Sequence, residues 1–237
     1  MEDCKFKNEY DSEFSKSTFI KFFPFVGSKY KDISPKIMIL GESHYIDPNI
    51  PEEDITDKLL EEWNNDRYST RSVFLDEYFP EIRDNGTHPY QHIRCYRYTA
   101  AMITGKDYHV SDYIWDYLSF YNFFQMNVGK GSKGKEYINE RLIENSRSGY
   151  FDVIKILKPK LVIAWGNSRL YYEWVPQDDC QNIDDNIWLY KYKSLPDTTI
   201  WHTPHPSQGF SYEWFHKEFL KILKCLNLDI SIMINKQ

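Results

Sequence analysis

The chain has 237 residues, enough for one sizeable α/β domain whose core needs no disulfide or metal to hold it. Its formal net charge of −6 excludes a global positive field that would draw it onto nucleic acid, so any contact with a polyanion has to be local. Aromatic residues make up 17% of the chain, which fits either an aromatic-rich core or a surface that stacks on flat ligands.

Cys4, Cys95, Cys180 and Cys225 lie far apart with no C-x-x-C pair. Neither a metal site nor an iron–sulfur cluster is therefore expected, and a reducing, cytoplasmic compartment is. The opening MEDCKFKNEYDSEF is charged and lacks the apolar stretch of a signal peptide. No run approaches the roughly 18 apolar residues of a membrane span.

The first buried strand is predicted at KIMIL (36–40), entered from Pro35 and left at Gly41. Directly after it stand Glu42, Ser43, His44 and Tyr45, three of them able to take part in proton or nucleophile chemistry. Residues 46 to 110 read as a helical insertion, with PEEDITDKLLEEWNND opening on Pro and acids as a helix N-terminus prefers. A second strand, YLSFY (117–121), ends at Asn122. The GKGSKGK stretch carries Lys130, Lys133 and Lys135; it lacks the Ser or Thr that closes a P-loop and reads as a solvated connection.

EYINERLIENSRSGYFDVIKILKP has helical spacing and stops before Pro159. KLVIAW (160–165) repeats the Pro-Lys entry and glycine exit of the first strand, ending at Gly166. Asn167 and Ser168 then suit a helix cap, and Tyr171, Tyr172 and Trp174 the packed face of that helix. Residues 175–186 read as an acidic, solvated loop, and IWLYKYK alternates like an edge strand. TTIWHT (198–203) is the fourth strand; His202 inside it reads as a core histidine, whereas His205 stands between Pro204 and Pro206. SYEWFHKEFLKILKCLNL closes the chain as an amphipathic helix.

Strands separated by long helical segments predict a mainly parallel, four-stranded sheet covered by helices on both faces, in one domain spanning 1–237. Ligands in such sheets gather beyond the carboxyl ends of the strands, which brings GESHY, Asn122, GNS and HPS to one rim.

MILGESHY, YLSFYNFF, ILKPKLVIAWGNS and HTPHPSQGF, in that order, resemble the uracil-DNA glycosylase superfamily. The resemblance implies a three-layer α/β/α sandwich and hydrolysis of the N-glycosidic bond of uracil or a related damaged base flipped out of DNA. It implies that Glu42 positions water and offsets positive charge on the sugar, with Gly41, Ser43, His44 and Tyr45 around it. Asn122 matches the amide that reads the imide edge, and His205 the donor to the base O2. Ser207 would hold a phosphate, Phe210 is the nearest residue to a duplex wedge, and Lys130, Lys133 and Lys135 would meet the DNA backbone. Such an enzyme works without metal or cofactor, and a monomer is expected. Ser43 stands where the classical uracil-excising branch has a catalytic Asp, so the first motif is a hybrid. Two other readings remain open. One is a base or nucleic-acid binder that does not cut; the other is an esterase with Ser43 as nucleophile and His202 or His205 as base.

Overall fold

The computed structural model describes residues 6–44, 50–51, 57–80, 91–127, 138–166, 174–175, 177–184, 187–206 and 210–235. The strands are β1 (Phe25–Val26), β2 (Ile37–Gly41), β3 (Leu118–Asn122), β4 (Leu161–Trp165), β5 (Asp179–Asp184), β6 (Ile187–Tyr192) and β7 (Leu195–Thr203). The helices are α1 (Asp11–Phe14), α2 (Asp57–Asn65), α3 (Ser69–Ser72), α4 (Gln91–Thr104), α5 (Glu140–Leu157), α6 (Tyr212–Cys225) and α7 (Ser231–Ile234). α3 runs straight into a π-helical segment, Val73–Tyr78.

The sheet has seven strands in the order β1-β3-β2-β4-β7-β6-β5, not the four expected. β3, β2, β4 and β7 pair parallel. β1 joins β3 antiparallel at one side, and β6 and β5 extend β7 as an antiparallel meander at the other. The sheet is therefore mixed. Residues 175–186, expected as a loop, contribute β5, which is the edge strand; the expected edge strand β6 lies one place further in. DCQNID is exposed along its first four positions, so no apolar alternation marks it.

Side chains alternate across each strand, and the parallel strands bury both sets. Ile37, Ile39, Leu118, Phe120, Leu161, Ile163, Trp165 and Trp201 enter a core under α4 and α6. Met38, Leu40, Tyr121, Val162, Ala164 and Ile200 enter a second core under α5. Each fully buried Ile, Leu or Val contributes about 1.5–3 kcal/mol, which is why the four short runs read as strands without any polar alternation.

Helix ends follow side-chain chemistry. Asn139 caps α5 by accepting from the Leu142 amide, and Ser211 caps α6 by accepting from the Trp214 amide. α5 stops at Lys158, left-handed at φ 52°, before Pro159. α4, which lies inside the 46–110 segment expected as an insertion, packs Ile93, Cys95, Tyr96, Ala100, Met102 and Ile103 into the first core. That stretch thus builds the wall of the sheet as well as connecting β2 to β3.

No helix among the described residues is long and apolar enough to cross a membrane.

Candidate functional site

Gly41 and Asn122 are the last residues of neighbouring parallel strands and stand in register with one another. A Cβ on residue 41 would lie 2.2 Å from Asn122 Oδ1 and 2.8 Å from Phe120 Cζ. The glycine therefore leaves the space that the Asn122 carboxamide occupies. Beyond the strand ends the backbones stay paired. Phe123 N–H donates to Gly41 O and Phe124 N–H to Glu42 O, both at 2.9 Å, which fixes the chain at Glu42. The Gln125 side chain then ties this turn to the N-terminal segment: its Nε2 donates to Asn122 O at 2.8 Å, and its Oε1 accepts from the Lys21 and Phe22 amides at 3.0 Å.

Phe22 in turn meets the His44 ring edge to face, with centroids 5.0 Å apart. His44 Nε2 lies 2.9 Å from Thr70 Oγ1 and 3.1 Å from Asn122 Nδ2. Burial of the ring pushes the His44 pKa down to about 4, so the imidazole is neutral near pH 7. With Nε2 unprotonated it accepts from the Asn122 amide, which holds the carboxamide in one orientation at the rim. Thr70 belongs to α3, which is anchored by its neighbour Arg71. That guanidinium is 2% exposed, bonds Asp11 at 2.6 and 3.0 Å and Pro24 O at 2.8 Å, and also donates to Phe6 O.

His205 lies two residues past the end of β7. Its Nδ1 is 3.9 Å from Cys95 Sγ, and its ring packs edge to face on Trp165 at 5.8 Å. Trp165, the last residue of β4, packs on Phe120 at 5.2 Å and on Tyr96 at 5.4 Å. Strand alternation puts Gly41, Asn122 and Trp165 on the face that carries Ile39, Phe120 and Ile163. His205 reaches the same face through Trp165 and Cys95. Burial lowers the His205 pKa, so it too favours the neutral form. A thiol hydrogen directed at Nδ1 would leave the ring proton on Nε2, making that nitrogen a donor.

Glu42 follows Gly41 directly, at the same carboxyl edge. The Ser43 hydroxyl is enclosed and has no hydrogen-bond partner among the described residues. The neighbouring His44 turns its Nε2 to Thr70 and Asn122.

His202 packs on Tyr190 at 5.5 Å on the opposite face of the sheet, and burial pushes its pKa down to about 3. Phe210 is 9% exposed and stacks on Phe215 with centroids 4.3 Å apart. Tyr45, Lys130, Lys133, Lys135, Ser207, Asn167 and Ser168 lie outside the described residues. Among the described residues no group of three His, Cys, Asp or Glu side chains is arranged to hold a metal ion.

Sequence reasoning missed Thr70, Phe22, Cys95 and Trp165. Thr70 and Cys95 sit in the helical 46–110 segment, 26 residues from His44 and 110 from His205 respectively, with no local pattern to mark either partner.

Comparison with models of known protein families finds no match, and no curated protein matches the chain.

Proposed function

We propose that the carboxyl edge of the parallel strands receives a nucleobase turned out of DNA and that the protein hydrolyses its N-glycosidic bond. The resemblance to the uracil-DNA glycosylase superfamily, with its three-layer sandwich in a single domain, belongs to this proposal. So do a monomeric state, a reducing cytoplasmic setting and a DNA contact through Lys130, Lys133 and Lys135. The observation that carries it is that Asn122 and His205, far apart in sequence, reach one face of one sheet edge with Trp165 beside His205.

In this reading Asn122 gives one amide hydrogen to His44 and keeps the other, together with Oδ1, for the ligand. A donor beside an acceptor matches the carbonyl and N3–H of an imide edge. As the C1′–N bond breaks, its electron pair moves onto the base, and Nε2–H of the neutral His205 donates to the oxygen where that charge collects. Glu42 orients the water that attacks C1′ and offsets the positive charge on the sugar. The water proton leaves to the carboxylate and the base departs as an anion, to be protonated afterwards. Extruding the nucleotide costs a few kcal/mol of unstacking, to be met by contacts to the base and flanking phosphates.

Ser43 favours a second reading, in which the site binds a base without cutting. It stands in the position of the classical branch's Asp, and its hydroxyl makes no hydrogen bond among the described residues.

Incubation with uracil-containing single- and double-stranded DNA, followed by alkaline cleavage of abasic sites, tests the proposal. Strand scission that falls by on the order of 100-fold in Asn122→Ala is the expected result. Tight, saturable DNA binding with no scission supports the binding reading. A wild-type protein that neither binds nor cuts DNA carrying any of several base lesions overturns both.

A further inference from the structure

An open pocket of about 200 Å³ lies where the N-terminal segment meets the turn between α2 and α3, lined by Lys7, Asp11, Ser12, Phe23, Arg67 and Tyr68 among others. Its frame is held from several sides. Phe23 N–H donates to Arg67 O at 2.7 Å, which pins the turn to the chain entering β1. Asn8 Nδ2 donates to Val26 O at 3.2 Å and fixes the N-terminal segment against β1. Arg71 then ties that segment to α3 through Asp11 and Phe6 O. Phe23 is 3% exposed and packs edge to face on Tyr68, with centroids 6.0 Å apart.

Charge sets what this pocket can hold. Asp11, the acid of the lining, meets the Arg71 guanidinium through both oxygens, at 2.6 and 3.0 Å, so that pair is neutral. Lys7 and Arg67 are left. The nearby Lys16 and Lys31 are paired with Glu13 and Glu9. Neither Lys7 nor Arg67 makes an ion pair among the described residues. Asp66, next to Arg67, turns its carboxylate to the Tyr68 amide at 2.9 Å and the Ser69 hydroxyl at 3.3 Å. Arg67 sits 5.4 Å over the Phe23 ring, which holds the guanidinium beside the pocket.

The lining therefore carries a charge of +2 in a chain whose net charge is −6. A phosphate monoester carries about −1.5 to −2 near pH 7, against about −1 for a diester inside a strand. Arg67 brings a planar fork that can meet two phosphate oxygens, Lys7 a point charge, and Ser12 and Tyr68 hydroxyl groups. The volume falls below that of sites enclosing a whole small molecule, so it suits one anionic group whose remainder stays outside.

We propose that this pocket binds a terminal phosphate group, the dianion of a monoester, supplied by a strand end of nucleic acid or by a small phosphate. None of its lining residues belongs to the rim formed by Gly41, Asn122 and His205, and binding there does not depend on the reaction proposed for that rim.

Isothermal titration calorimetry on the full chain tests this with three probes: inorganic phosphate, a thymidine oligonucleotide bearing a 5′-phosphate, and the same oligonucleotide with a 5′-hydroxyl. The two strands differ only at that end, so whatever the rim adds is common to both. The expected result is saturable binding of a phosphate-bearing probe, about tenfold or more tighter than the 5′-hydroxyl strand and weakened by salt. A 5′-phosphorylated strand that binds more tightly than inorganic phosphate identifies a strand end as the source. Inorganic phosphate that binds as well or better identifies a small phosphate. Lys7→Ala and Arg67→Ala, at exposed positions, each lower the affinity about tenfold, whereas Lys224→Ala, at an exposed position of α6, leaves it intact. Should Arg67→Ala fail to fold, Lys7→Ala decides. Equal affinity for the two strands with no saturation by inorganic phosphate, or undiminished binding in either folded pocket variant, overturns the proposal.

Discussion

The amide nitrogen of Asn122 stands 3.1 Å from Nε2 of His44, and that same nitrogen is 2.9 Å from Thr70 Oγ1. One ring nitrogen thus serves two side chains, one from the end of a strand and one from a helix 26 residues away from it in sequence. The orientation of the Asn122 carboxamide is linked to the protonation of His44. A charged ring would put a hydrogen on Nε2 against the amide's own N–H and favour turning Oδ1 inward.

Stability should follow this link. The folded-state pKa of His44, about 4, lies below its ordinary value of 6.5. Between those values the unfolded chain holds a proton that the folded chain rejects. The contribution is complete above about pH 6.5 and is lost as pH falls toward 4, at up to about 1.4 kcal/mol per pH unit for this residue. His202, with its pKa near 3, adds a loss of the same sign that continues to lower pH. Urea unfolding at several pH values should show this decline, and His44→Gln should make it shallower. A profile that is flat from neutrality to pH 4.5 would contradict the burial of both rings.

Gly41→Ala should damage both fold and site. The new methyl group meets Asn122 Oδ1 and Phe120 at distances that force one of them to move. A destabilisation of about 1–3 kcal/mol is expected, with loss of base binding, because the displaced group is the carboxamide itself. Chemical denaturation and the scission assay read the two effects separately.

Thr70→Val keeps the volume and removes the hydroxyl at His44. The stability cost should be about 1 kcal/mol. Base discrimination should fall further than stability does, since the ring that holds Asn122 loses one of its two partners. Competition between uracil- and cytosine-containing oligonucleotides measures this; unchanged discrimination would mean that Thr70 does not position the ring.

Arg71→Ala should be more disruptive than any of these changes. It strands the partly buried Asp11 carboxylate and leaves the Pro24 and Phe6 carbonyls without their donor. A loss of about 3–5 kcal/mol is expected in urea unfolding.

The central strands were legible because burial on both faces leaves an unbroken apolar run. Pro35 and Gly41 bracket the first, and Pro159 and Gly166 the third, which made them stand out further. β1 was not legible, being two residues long, and β5 was hidden because an exposed edge strand needs no apolar side chains. Gly41, Asn122 and His205 could be placed on a common rim, since strand ends of a parallel sheet share a direction. Their partners could not. The contacts of His44 with Thr70 and of His205 with Cys95 depend on how the segment after β2 folds back over the sheet, and helical periodicity sets a face, not a neighbour. The packing of Phe210 was hidden for a related reason: an aromatic after His-Pro-Ser carries no sign in sequence that it stacks on Phe215.

The sharpest test is a side-by-side scission assay of wild type, Asn122→Ala and His205→Asn on uracil-containing DNA, with folding of each checked by circular dichroism. The account predicts abasic sites from the wild type and a fall on the order of 100-fold in both folded variants. Undiminished cleavage by both variants would show that the reaction takes place elsewhere in the protein, and no cleavage by a folded wild type on any lesion would show that this rim does not cut DNA.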